Sequence, residues 1–134
     1  MVIIEASYDG ELHTTCRHQP SGCELATDAP VDNQGRGESF SPTDLLATAL
    51  GSCMMTVMGI GARNEGWELE GTRLVIQKTM SQSPRRVARL ALEFEMSPGL
   101  PGASRSRLER IARSCPVAQS IHPDIDVELR FVWS

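Results

Sequence analysis

At 134 residues, with 40% hydrophobic and 22% charged side chains, the chain is one domain's worth of an ordinary globular protein. Such a chain buries about two thirds of the surface that its unfolded form exposes. A formal charge of −4, with arginines scattered instead of interleaved with aromatics, excludes a basic face made for phosphates, so no nucleic-acid partner is expected.

The first segment, MVIIEASYDG, lacks a basic stretch followed by a long apolar run. It does not read as a secretory leader, and a cytoplasmic protein is expected. Three short strands are expected at Val2 to Tyr8, Glu11 to Arg17 and Cys23 to Thr27, with YDGE and HQPSG supplying the turn residues between antiparallel neighbours. Ala29 to Ser41 is polar and glycine-rich, hence a loop. Ser41 before Pro42 then reads as an N-cap followed by a proline suited to the first helical position.

The helix that starts there is expected to run to about Glu65, and from Leu45 to Ala62 it carries no charge. Thr48, Ser52 and Thr56 with three glycines lower its hydrophobicity, and no second such segment exists, so a core helix is expected instead of a membrane span. The absence of charge predicts burial on nearly all sides, with a second subunit covering part of it and Gly51 and Gly59 admitting a close neighbour.

Leu69 to Met80 and Val87 to Ser97 predict a long hairpin around SQSPR, with Ala88, Leu90, Leu92, Phe94 and Met96 on the core face. A helix from Ser104 to Ser114, a short one after the Cys115-Pro116 step, and a last strand alternating through Ile125, Val127, Leu129, Phe131 and Trp133 complete the chain. The order βββαββααβ is that of an α+β domain in which antiparallel sheets pack around a central buried helix. A single domain over 1–134 is expected.

Four cysteines, Cys16, Cys23, Cys53 and Cys115, are too few and too widely spaced for a disulfide framework. Cys53 sits in the middle of the apolar helix, where a free cysteine often acts as a small hydrophobe and where burial disfavours a thiolate unless a cation is near. Cys115 falls at the N-cap of the short helix, where unpaired amides favour a thiolate, with Arg113 two residues away. Cys16 and Cys23 flank a turn and would lie opposite each other. With His13 and His18 they lack the tight knuckle spacing of a zinc site, so no metal or cofactor is expected. His122 reads as a loop residue, and no G-x-S-x-G is present.

SPTDLLATALGSC at Ser41 to Cys53, followed 62 residues after that cysteine by Cys115 in SCPVAQSI, resembles the OsmC/Ohr superfamily of thiol-dependent hydroperoxide reductases. The resemblance implies an intertwined homodimer with its sites at the subunit interface. It implies that Cys53 is the peroxidatic thiolate, that Cys115 resolves its sulfenic acid as a disulfide, and that an external dithiol resets the pair. An organic hydroperoxide would need an apolar pocket, for which Leu46, Leu50, Met54, Met55 and Met58 are the expected lining. Organic hydroperoxide resistance proteins place a glutamate directly after the proline. Here Thr43 stands at that position and Asp44 follows, as in the broader OsmC-like group. Asp44 is therefore the expected orienting carboxylate, and Arg17, then Arg36, the expected cation beside the thiolate. The other reading consistent with the displaced acid is a non-catalytic OsmC-like protein that holds an apolar or acyl ligand at the dimer interface.

Overall fold

Three strands come first in the computed structural model, which describes all 134 residues: β1 (Ile4–Gly10), β2 (His13–His18) and β3 (Glu24–Asp28). They form one antiparallel sheet in the order β1-β2-β3. The β1–β2 turn takes positive φ at Gly10, Glu11 and Leu12, a region natural to glycine and costly for leucine. The Tyr8 hydroxyl holds it by accepting the Leu12 amide at 3.3 Å. This sheet and the loop after it belong to the first of two compact units, Met1–Leu46.

Helix α1 (Pro42–Glu65) begins where local chemistry dictates. Ser41 Oγ accepts the Asp44 amide at 3.1 Å and Asp44 Oδ2 accepts the Ser41 amide at 2.9 Å, a reciprocal capping box ahead of a proline at N1. It ends on Gly66 at φ +73, with the Trp67 amide donating to the Ala62 carbonyl and Gly66 to that of Arg63. Those are the two bonds of a Schellman motif.

The second unit, Ala47–Ser134, contains most of α1, the hairpin β4 (Arg73–Gln82) and β5 (Arg85–Glu95), α2 (Ser104–Arg113), α3 (Pro116–Ser120) and β6 (Asp126–Val132). The element order is the expected βββαββααβ. The second sheet runs β4-β5-β6, and β6 joins β5 in parallel, so this sheet is mixed where antiparallel pairing alone was expected. The physical cause is the α2–α3 crossover, which carries the chain back to the starting edge before it pairs. Parallel register sets Phe94 beside Phe131, with ring centroids 5.0 Å apart.

Leu50, Met54, Met58 and Ala62 of α1, Leu90, Leu92 and Phe94 of β5, and Leu108 and Ala112 of α2 are buried. A bulge corrects one expectation on β5. Thr79 pairs with Arg89 and Met80 with Val87, which leaves Ala88 as the extra residue. The alternation therefore flips, and Val87 is buried where Ala88 was expected.

Two expectations about α1 also change. Its buried face is one side only: Thr48, Ser52, Thr56 and Ile60 form an exposed stripe at four-residue spacing. The stripe is polar without charge, and Thr56 Oγ1 turns back on the helix to donate to the Ser52 carbonyl at 2.8 Å. Close approach occurs at Gly51, where a Cβ would stand 2.5 Å from Leu74 Cδ2, and at Gly61, where it would stand 2.6 Å from Ile111 Cδ1. At Gly59 the nearest atom is 3.9 Å away. By length and composition α1 alone would qualify as a membrane span, yet these contacts lay it against β4 and α2 as a core helix.

Candidate active site

The Cys115-Pro116 step builds one half of the site. α2 stops at Arg113, and proline keeps the residue before it out of the helical region, so Cys115 is extended at φ −63, ψ 149. That conformation makes it the N-cap of α3, and its Sγ accepts the Ala118 amide at 3.3 Å. Cys115 is fully buried.

Cys53 supplies the other half. It is half-buried, at the border between the exposed stripe and the buried face of α1. Cys53 acts on the Cys115 thiol, so two residues far apart in the chain are brought into one neighbourhood. All four cysteines are free. Burial pushes the Cys115 thiol above its ordinary range, and the Ala118 amide opposes this. The Cys53 hydrogen bond and charge push it further up. The N-cap thus acts in the expected direction and is outweighed by desolvation. Arg113 is exposed.

Of the expected lining, Leu50, Met54 and Met58 are in the core at 1% exposure or less. Met55, two residues after Cys53, projects from the far side of the helix because successive side chains turn by about 100°. Leu46, half-buried, shares the Cys53 face two turns earlier, and Ala49, Val57 and Ile60 complete that face.

Asp44 closes the capping box, nine residues before Cys53, or about 13 Å along the axis at 1.5 Å per residue. The candidate arginines both belong to the first unit. Arg17 Nη1 faces Glu5 Oε1 at 3.8 Å; Arg36 faces Glu11 at 3.2 Å and Glu38 at 3.6 Å. Cys16 and Cys23 do not lie opposite each other, since Cys16 pairs with Ala6 and Leu25 and Cys23 is exposed. His18 bonds Ser21 at 2.6 Å. Sequence reasoning passed over Asp28, one residue beyond the expected third strand. It is fully buried, and the signal was the pair of glycines around Arg36 that folds the loop back onto it.

The family model described as OsmC-like protein matches residues 35–130. No curated protein matches the chain. Among solved structures, a protein of Psychrobacter arcticus 273-4, provisionally described as an osmotic stress induced and detoxification response protein, is 43% identical with a TM-score of 0.94, over 98% of this chain and 96% of that one. An organic hydroperoxide resistance protein OsmC from Legionella pneumophila is 20% identical with a TM-score of 0.76, covering 98% and 96%. The organic hydroperoxide resistance protein OhrB of Bacillus subtilis is 14% identical with a TM-score of 0.70, covering 98% of each chain. The last two are alike in fold alone.

Proposed function

The chain belongs to the OsmC-like family, and from that premise we propose that it is a thiol-dependent reductase of organic hydroperoxides serving oxidative-stress defence in the cytoplasm. The observation that carries this reading is that Cys53 and the buried N-cap thiol Cys115, far apart in the chain, share one neighbourhood. The Cys53 thiolate attacks the terminal peroxide oxygen; the O–O bond breaks, the alkoxide takes a proton and leaves as an alcohol, and Cys53 becomes a sulfenic acid. The Cys115 sulfur then attacks the Cys53 sulfur, an S–S bond forms and water leaves. An external dithiol reduces the disulfide by exchange.

The raised Cys115 thiol suits this order. Cys53 favours the protonated form of Cys115, which leaves Cys53 the attacking thiol in this proposal. Once Cys53 is a neutral sulfenic acid, the charge that held Cys115 protonated is gone, and the resolving thiol ionises more readily. The substrate's alkyl group would lie along Ala49, Val57 and Ile60. Asp44 and Arg17, or Arg36, are assigned the carboxylate and cation roles as part of the same proposal.

A homodimer fits the surface. β1 is exposed through Ile4 at 66% and Tyr8 at 67%, with Val2 at 61% just before it, and a three-stranded sheet needs a covered apolar face to be stable. A second copy would supply that cover.

The test is consumption of cumene hydroperoxide with dithiothreitol, comparing the parent with Cys53→Ser. Loss of consumption in the variant is expected, and equal consumption would overturn the reading. The pairing of both candidate arginines with carboxylates of their own unit favours one alternative, a non-catalytic protein holding an apolar or acyl ligand. Inert thiols and a co-purifying apolar molecule would establish that alternative.

A further inference from the structure

A second polar cluster lies wholly within the first unit. His13 opens β2 and Asp28 closes β3, and the two are register partners across the sheet. Glu38 arrives from the loop between β3 and α1. That loop folds back because Gly35 passes the Ala29 carbonyl where a Cβ would stand at 1.7 Å, so only glycine fits. The Glu38 and Arg36 amides then donate to Asp28 Oδ2 at 2.9 and 3.3 Å.

Those bonds account for one carboxylate oxygen. The other, Asp28 Oδ1, is buried without a partner on a side chain with no exposed surface. A buried, half-satisfied carboxylate is costly and calls for a cation. His13 faces the bonded oxygen of the same carboxylate: Nδ1 donates to the Glu11 carbonyl at 2.7 Å, which leaves Nε2 directed at Glu38 Oε1 at 3.1 Å and Asp28 Oδ2 at 3.5 Å. A backbone carbonyl on the far nitrogen is how proteins fix the tautomer of a metal-binding histidine.

The spacing is also that of ligands about one ion. Zinc bound to nitrogen and oxygen at about 2.0–2.1 Å in a tetrahedron puts its ligands about 3.3 Å apart, and the two observed separations bracket that value. One ligand atom from each of the three residues lies within 4.8 Å of the others. The charge balances as well, since two carboxylates and a neutral imidazole offer −2. Imidazole favours first-row transition ions over calcium, which asks for six to eight oxygens. Arg36, with its guanidinium 3.6 Å from Glu38 Oε1, is exposed and also pairs with Glu11, so it has a carboxylate to keep when Glu38 turns to the ion.

We infer that His13, Asp28 and Glu38 form a site for a divalent transition ion, with Zn2+ the best fit, that fastens the loop before α1 onto the β2–β3 hairpin. Three protein ligands leave the fourth position to water. The site is independent of Cys53 and Cys115, and its role is to pin the loop.

The test uses the full chain, freed of metal and kept reduced, titrated with Co2+ as a spectroscopic probe and then with Zn2+. One Co2+ per chain is expected, with visible d–d bands, no thiolate-to-cobalt charge transfer, and displacement by Zn2+. Glu38→Gln, at an exposed position, and His13→Gln should each weaken binding by at least about ten-fold. Zn2+ should raise the melting temperature of the parent and not that of either variant. No stoichiometric binding, a thiolate charge-transfer band, or unchanged affinity in both variants would overturn the inference.

Discussion

The buried Cys115 thiol is under the direct influence of Cys53, 62 residues earlier in the chain. A pair held in one neighbourhood needs little rearrangement to become a disulfide. Parent protein treated with one equivalent of cumene hydroperoxide should therefore yield a Cys53–Cys115 disulfide and no bridge at Cys16 or Cys23, as read by peptide mass mapping. Cys115→Ser should instead accumulate a Cys53 sulfenic acid that dimedone traps, with turnover down by about an order of magnitude or more. A disulfide involving Cys23 as the main product would contradict the assignment.

The pH response of Cys115 follows from the same influence. Burial, then the hydrogen bond and charge of Cys53, hold this thiol protonated above its ordinary range. Cys53→Ser removes the charge, so the midpoint for Cys115 alkylation by iodoacetamide should move down. In the parent, exposed Cys23 should alkylate well before Cys115 at neutral pH. The linkage has a sign: above the ordinary thiol value the unfolded chain releases a proton that the folded chain keeps, so stability should fall as pH rises through that region.

What the sequence discloses is what its local chemistry determines. Ser41-Pro42 marks the start of α1, and Cys115-Pro116 places a thiol at a helix N-cap, because caps and prolines act within a few residues. The parallel pairing of β6, the bulge at Ala88 and the burial of Asp28 depend on partners distant in sequence, and no local pattern encodes them. The exposed stripe of α1 escaped notice for another reason. Thr48, Ser52 and Thr56 are counted as weakly apolar in a run without charges, yet Ser52 and Thr56 satisfy their hydroxyls on the helix itself. Met55, expected in the apolar lining, lies across the helix from Cys53 because of the helical turn between them.

The glycines of α1 give a paired test. At Gly51 an added Cβ meets Leu74 and Ile76 at 2.5 and 2.6 Å, so two strand side chains must move. Overpacking of that kind costs about 1–3 kcal/mol, against about 1 kcal/mol gained in helix propensity. Gly51→Ala should therefore destabilise the protein. Gly59→Ala meets nothing nearer than 3.9 Å and should stabilise it by up to about 1 kcal/mol. Urea denaturation of the two variants beside the parent decides the matter, and opposite signs are expected.

The His13–Asp28 pair predicts where stability lies in pH. The amide of Glu38, first of all, holds the Asp28 carboxyl below its ordinary value, opposed by burial and aided by His13. Its contribution is present above the unfolded value and lost as pH falls through the folded one. The Glu11 carbonyl, then Asp28 and Glu38, hold His13 above its ordinary value against desolvation, and Asp9 and Arg36 lie in the same neighbourhood. That contribution is full below about pH 6.5 and is lost as pH rises through the raised value. In metal-free buffer, His13→Gln should flatten the melting-temperature profile on the neutral side. Asp28→Asn should flatten both limbs.

The arginine proposed to support Cys53 is open to a direct comparison. Arg17 is held by one carboxylate at 3.8 Å, beyond ordinary hydrogen-bond distance, and stands half exposed on β2. Arg36 is engaged by both Glu11 and Glu38, the nearer at 3.2 Å. A loosely held guanidinium leaves its partner at little cost, whereas withdrawing one from two carboxylates leaves both unpaired. Arg17→Ala should accordingly slow peroxide oxidation of Cys53 by about ten-fold or more, the effect of losing a charge-assisted bond worth about 1.5–3 kcal/mol. Arg36→Ala should change that rate by less than about three-fold, within the range of an exposed ion pair. Stopped-flow oxidation under single-turnover conditions reads both. If Arg36→Ala proves the slower variant, the assignments exchange; if neither variant differs from the parent, neither arginine supports the thiolate.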